Sequence, residues 1–274
     1  MAGGTSTGYV RIWDIQAPTT PHKVVDSTGP LNDLRFSRNA EYLAIANRNI
    51  TLVPLAKEGK SIVVRGDQAN YGSVRFSTDG RLLLTVNGKG EIMTIDLASG
   101  VGRPFHCCSS IWGEVGFSLD GTRAFWAGHW PGVWDLHSMT LLGRLTERRE
   151  FMAFGPIAID PTEPLLYMGS QDGRVYQWNI ETLRLLGKSQ ALSDYVHSIA
   201  VLGKSGWVAY AAEGGAIHLW HPKTGTSRAV QAARPTTNLV FDESRNRTAL
   251  GTNSGQVEFW DLIDERLLGR LAGR

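Results

Sequence analysis

Short runs of alternating apolar and polar residues fill the chain, and one run keeps returning. It ends in Trp and often Asp: Val10-Arg11-Ile12-Trp13-Asp14, Gly132-Val133-Trp134-Asp135 and Val257-Glu258-Phe259-Trp260-Asp261. Val175-Tyr176-Gln177-Trp178-Asn179 and Ile217-His218-Leu219-Trp220-His221 vary it slightly. Ile50-Thr51-Leu52-Val53-Pro54 and Ile92-Met93-Thr94-Ile95-Asp96 are weaker copies. The key positions 13, 53, 95, 134, 178, 220 and 260 are 40, 42, 39, 44, 42 and 40 residues apart. Period-2 alternation rich in β-branched and aromatic residues predicts half-buried strands. A regular spacing of this length predicts a repeat architecture.

The rest of each period agrees. Ahead of the Trp position comes a second strand pattern: Leu34-Arg35-Phe36-Ser37, Val74-Arg75-Phe76-Ser77, Val115-Gly116-Phe117-Ser118, Ile157-Ala158-Ile159-Asp160, Leu239-Val240-Phe241-Asp242 and a looser Ile199-Ala200-Val201-Leu202. Turn residues follow, as in Ser77-Thr78-Asp79-Gly80 and Ser118-Leu119-Asp120-Gly121. A short apolar strand comes next, such as Leu82-Leu83-Leu84-Thr85-Val86. A closing strand follows the Trp run, as in Leu141-Leu142-Gly143-Arg144-Leu145 and Leu267-Leu268-Gly269-Arg270-Leu271. Four strands per period, with no helical periodicity, describe one propeller blade. Such a blade is apolar on both faces and is stable only when stacked on its neighbours.

These motifs resemble the WD40 family over the whole chain, which implies an all-β, WD40-type β-propeller in a single domain. Met1 to Asp14 align without gaps on Thr248 to Asp261, so the chain is expected to start inside the second strand of a blade. Two arrangements are consistent with that. One is a seven-bladed propeller whose first blade is incomplete, as in a fragment of a longer chain. The alternative is six blades plus extra N-terminal strands. The expected blades span residues 1–28 (partial), 29–66, 67–106, 107–146, 147–190, 191–231 and 232–274. The family places an Asp six residues before the Trp, where it holds a buried His. Here only Asp172 fits; the equivalent positions are Thr7, Asn47, Lys89, Gly128, Gly214 and Ser254. The lone Gly-His pair, Gly128-His129, is displaced from its family position. Cohesion is therefore expected to rest mainly on apolar packing.

Composition narrows the functional classes. The formal charge of +2 argues against a nucleic-acid or anionic-membrane partner. No apolar run approaches the ~18 residues that cross a bilayer, and no secretory signal is visible, so the reading is a cytoplasmic protein. The cysteines, Cys107 and Cys108, are adjacent and build no disulfide framework. Arg144, Arg148 and Arg149 are interrupted by Glu147 and read as a solvated loop. Gly187-Lys188-Ser189 and Gly203-Lys204-Ser205 imitate the end of a phosphate-binding loop, but Thr182 and Ser198 stand where its first glycine belongs. They read as the end of an outer strand and a hairpin turn. His106-Cys107-Cys108 and the pair His218 and His221 lack the spacing to share a metal ion. No nucleophile elbow is present. The expectation is no catalytic residue, no metal site and no cofactor.

The resemblance implies binding through the loops at one end of the blades. Those leading into the inner strands lie near Asn32, Tyr71, Trp112, Tyr195 and Thr237. The turns before the Trp strands offer Arg48, Lys89, His129, Gln171, Glu213 and Asn253. Aromatics and Arg are favoured anchors, so Arg48, Tyr71, Trp112, Trp130, Gln171 and Tyr195 form the candidate partner-binding face. Each could instead pack against a neighbouring blade. The expected function is a non-catalytic scaffold for other proteins or peptides. The alternatives are a regulatory or sensory module of a larger kinase or NTPase-type protein, or a propeller enzyme with an axial site.

Overall fold

The computed structural model describes residues 2–4, 8–12, 23–27, 29–56, 60–65, 68–106, 113–146, 154–212, 216–230, 236–242, 247–252 and 257–271. Almost all regular structure is β. The N-terminal sheet contains β1 (Ala2–Gly4), β2 (Tyr9–Ile12) and β3 (Lys23–Asp26). Blade I holds β4 (Asp33–Phe36), β5 (Tyr42–Ala46), β6 (Ile50–Pro54) and β7 (Ile62–Arg65). Blade II holds β8 (Ser73–Phe76), β9 (Leu82–Val86), β10 (Glu91–Asp96) and β11 (Gly102–His106). Blade III holds β12 (Glu114–Phe117), β13 (Arg123–Ala127), β14 (Gly132–Asp135) and β15 (Thr140–Arg144). Blade IV holds β16 (Phe154–Ile159), β17 (Leu165–Ser170), β18 (Val175–Asn179) and β19 (Arg184–Lys188). Blade V holds β20 (Val196–Val201), β21 (Val208–Ala212), β22 (Ile217–His221) and β23 (Thr226–Val230). Blade VI holds β24 (Thr236–Asp242), β25 (Arg247–Thr252), β26 (Val257–Asp261) and β27 (Arg266–Leu271).

Each blade pairs its strands in chain order. The fold is thus an all-β propeller with six four-stranded blades and a three-stranded N-terminal sheet. This corrects the seven-bladed expectation in favour of six blades plus extra N-terminal strands. The N-terminal sheet has no fourth strand among the described residues, so it is not a complete blade. Its register nonetheless follows the sequence alignment, since Ala2 pairs with Ile12 as Ala249 pairs with Phe259.

The chain divides into two compact units. Met1–Trp126 with Trp134–Leu142 form the first, and Ala127–Val133 with Gly143–Arg274 the second. In the first unit, Val53 of blade I packs with Val10 and Ile12 of the N-terminal sheet. Ile95 of blade II packs with Ala44 and Leu52 of blade I, and Trp134 with Leu84 and Phe105 of blade II. In the second unit, Trp220 of blade V meets Tyr167 of blade IV edge-on at 6.3 Å. Trp260 of blade VI packs with Leu219 and Val230 of blade V. Each of these key residues therefore covers the face of the blade before it. Val and Ile perform this task where Trp is missing. Gly143 serves the same stacking, because a Cβ there would stand 2.5 Å from the Leu183 side chain of the next blade.

The polar residue after the key position has its own role. Asp96, Asp135, Asn179 and Asp261 accept backbone N–H bonds from the following turn at 2.7–3.1 Å. These bonds shape the hairpin to the outer strand. The turn ends in the left-handed region at Gly100 and Gly225, and also at Met139, Leu183 and Glu265. A side chain there costs about 1 kcal/mol, offset by the turn's hydrogen bonds. Ser77 with Asp79 and Ser118 with Asp120 close the first hairpin of their blades in a similar way.

Removing a key side chain should open a cavity at a blade junction. Trp220→Ala is expected to lower stability by about 3–5 kcal/mol. Urea unfolding followed by circular dichroism checks this; a loss below about 1 kcal/mol would show that the ring is not part of the packed junction.

Candidate interaction surface

Antiparallel order puts the turn between the second and third strands at the same end of a blade as the loop leading into its first strand. In the first unit these segments are stitched together by amides. Asn47 donates through Nδ2 to the Ser27 carbonyl at 2.6 Å, and its Oδ1 accepts the Asn49 N–H at 2.8 Å. Asn32 donates to the Tyr71 carbonyl at 2.8 Å and to Asn70 Oδ1 at 3.0 Å. The Tyr71 N–H reaches the Asn47 carbonyl at 2.6 Å, and the Gly88 N–H reaches the Ala69 carbonyl at 2.8 Å. Asn47 occupies the position where the family carries its Asp. The polar stitching thus persists in another residue type.

This arrangement decides where the candidates lie. Arg48 is exposed on its turn, and its carbonyl accepts the Asn70 N–H. Tyr71 is fully buried among Ala44, Ile50 and Val74, so its ring is unavailable to an outside partner. In the second unit, Trp130 is 48% exposed, and its carbonyl accepts a bond from Arg144 at 2.6 Å. Gln171 is exposed on its turn. Tyr195 is 40% exposed with its ring 5.6 Å from that of His197. Gly173, at φ +77°, lets the turn beside Gln171 meet the Leu192 loop, where the Leu192 N–H bonds the Gly173 carbonyl at 2.9 Å. Asp172 accepts the Tyr176 hydroxyl at 2.6 Å rather than a His. Trp112, Cys107, Cys108, Glu213 and Asn253 lie outside the described residues.

The residues screened for other chemistry hold structural places. Gly187 and Lys188 end the outer strand β19, and Gly203–Ser205 form a single helical turn before β21. His218 packs on Tyr210 and His221 on Trp207, so the two rings serve different neighbours.

An ionic cluster that the sequence reading overlooked lies on the inner strands of the first unit. Asp33 accepts hydrogen bonds from Arg75 Nη1 at 2.6 Å and the Val74 N–H at 3.1 Å, and forms an ion pair with Arg35, whose Nε stands 3.2 Å away. Glu114 takes Arg75 Nη2 at 2.9 Å and Arg35 Nη2 at 3.2 Å. Two cations and two anions therefore join three blades. Burial pushes the Asp33 carboxyl up, but Arg75, Arg35 and the Val74 N–H outweigh it and hold the group below the usual carboxylate range. Burial also opposes the Arg75 charge, yet Glu114 and Asp33 raise its pKa above the ordinary value. The available signal was Arg35 and Arg75 at matching places in β4 and β8, with Asp33 in the first of these strands.

Two clefts occupy equivalent places, between the outer strand of one blade and the last hairpin turn of the next. The cleft in the first unit has a volume of about 300 Å³, with Tyr42, Leu52, Val64 and Leu97 in its wall and both Arg81 and Asp96 at its lining. The cleft in the second unit measures about 380 Å³ and carries Arg174, Lys188, Ser189 and Ser227 around Trp220.

Comparison with known proteins adds context to this geometry. No family model matches the chain. It is 24% identical to Periodic tryptophan protein 2 of Saccharomyces cerevisiae over 99% of this chain and 30% of that one. It is also 24% identical to WD repeat-containing protein 55 of Mus musculus, over 72% of this chain and 52% of that one. The chain thus spans about half or less of the curated relatives it matches. Among solved structures, the computationally designed Ika8 protein superposes with a TM-score of 0.76 at 19% identity, covering 100% of this chain and 84% of that one. That likeness concerns the fold alone.

The ionic cluster has a testable energetic role. Asp33→Ala leaves Arg75 and Arg35 undercompensated and should cost about 2 kcal/mol, less than a fully buried pair because water reaches the cluster. The double change Asp33→Leu with Arg75→Leu should recover part of that loss. Because the folded-state pKa of Asp33 is depressed, its stabilisation is present above the unfolded value of about 3.9 and fades as pH falls through the folded value. Urea midpoints of wild type and Asp33→Asn should converge in acid; a constant gap would contradict the assignment.

Proposed function

We propose that the chain, a WD-repeat propeller by its likeness to Periodic tryptophan protein 2 and WD repeat-containing protein 55, is a non-catalytic platform for binding other proteins or peptides. The observation that carries this reading is the exposure of Trp130 and Tyr195 on ordered turns. A large ring held in water by a fixed backbone gains buried area on binding at small entropic cost. The Trp130 backbone is pinned by Arg144, and the Tyr195 ring rests against His197. Arg48 and Gln171, exposed on their turns, add polar contacts of the kind found at an interface rim.

The remaining features of the reading follow the same premise. The chain works as one propeller domain without a catalytic centre. The small net charge favours protein partners over nucleic acid or a membrane surface. No helix among the described residues is long and apolar enough to cross a membrane, and a cytoplasmic location is part of the proposal.

The test compares proteins captured from a cell extract on immobilised wild type, Trp130→Ala and Tyr195→Ala. Loss of an anchor ring should weaken capture of a specific partner by roughly tenfold or more, with unchanged thermal melting. Identical capture by all three would remove these residues from the binding face.

A further inference from the structure

We propose that the cleft beside β19 receives a carboxylate side chain from an extended acidic segment of a partner protein, a reading that rests on the platform function above. Arg174 and Lys188 flank the cleft, and no carboxylate belongs to its lining among the described residues. Asp172, outside the lining, stands 3.8 Å from Arg174 Nε. Arg174 is also held in place, because its Nη1 donates to the Ser189 carbonyl at 2.8 Å. A guanidinium has five N–H donors, so this anchoring leaves others for a ligand.

Ser227 supplies an independent observation. Its hydroxyl is buried in the cleft wall and has no hydrogen-bond partner among the described residues. A buried hydroxyl without a partner is costly, and an incoming carboxylate oxygen would satisfy it. Trp220 gives the cleft an apolar floor. β19 is the outermost strand of blade IV, paired only with β18 in the sheet, and Leu186 on it is 55% exposed. An extended segment can lie along such an edge and present alternate side chains to the cleft. The equivalent cleft in the first unit contains a carboxylate, Asp96, alongside its cation Arg81, whereas the charged groups lining the cleft beside β19 are, among the described residues, cations only.

The experiment uses the full chain and two fluorescein-labelled peptides, one alternating threonine and glutamate, the other threonine and glutamine. Fluorescence anisotropy should show the glutamate peptide binding at least roughly tenfold more tightly, with affinity falling as salt rises. Lys188→Gln and Ser227→Ala should each weaken it several-fold without changing the melting temperature, and Lys188→Arg should restore it. Equal binding of the two peptides, or wild-type affinity in Lys188→Gln and Ser227→Ala, would overturn the proposal. Trp130→Ala should leave peptide binding intact. If the acidic peptide fails while Trp130-dependent capture persists, the cleft assignment alone falls. The reverse pattern would discard the Trp130 surface and keep the cleft.

Discussion

Every four-stranded blade has two faces to take out of water, and neither can be hidden within the blade. That constraint explains why the key position recurs at a near-constant spacing and why it is apolar even where Trp is lost. Trp134, Trp220 and Trp260 each lie over the preceding blade, and Val53 and Ile95 occupy the same place with less area. Burial scales with apolar area. Junctions served by Val or Ile therefore depend on the surrounding residues, such as Leu43 and Ile45 beside Val53.

Polar groups then set finer features. The residues after the key position shape the outer hairpins, and Asn47 and Asn32 join successive loops at the blade ends. The cluster of Asp33, Arg35, Arg75 and Glu114 adds a directional element that apolar packing lacks. Hydrophobic contacts tolerate small slides between blades, whereas bonds near 3 Å among four charged groups do not. Registration of blades I to III is thereby tied to a few atoms.

The repeat was legible in the sequence because burial periodicity is local: strand, turn and strand follow within one period. The alignment of the first residues on the last blade was legible for the same reason, and the paired register of Ala2 with Ile12 bears it out. What escaped were relations between periods. Arg35 and Glu114 are 79 residues apart, and nothing in either strand alone reveals their meeting. Tyr71 is an anchor by residue type, but Asn32 and Asn47 of the preceding blade hold its backbone, and its ring is buried among Ala44, Ile50 and Val74. Blade number was misjudged because the spacing counts key strands, whereas a blade is counted by its complete sheet. Arg48 and Trp130 were placed on turns correctly, since turn position needs only the local pattern. The charged cleft went unseen because β19 and the turn after β22 contribute it jointly.

The paired clefts have an implication for how such a protein diversifies. A repeated scaffold offers the same notch more than once, yet each notch takes its chemistry from its own blade. Exchanging Val64 or Leu97 alters the notch of the first unit through residues that the other does not share. Mutational changes at one notch are thus uncoupled from the other, as expected for sites with no common partners. New recognition can accumulate one notch at a time while the stacking positions stay unchanged.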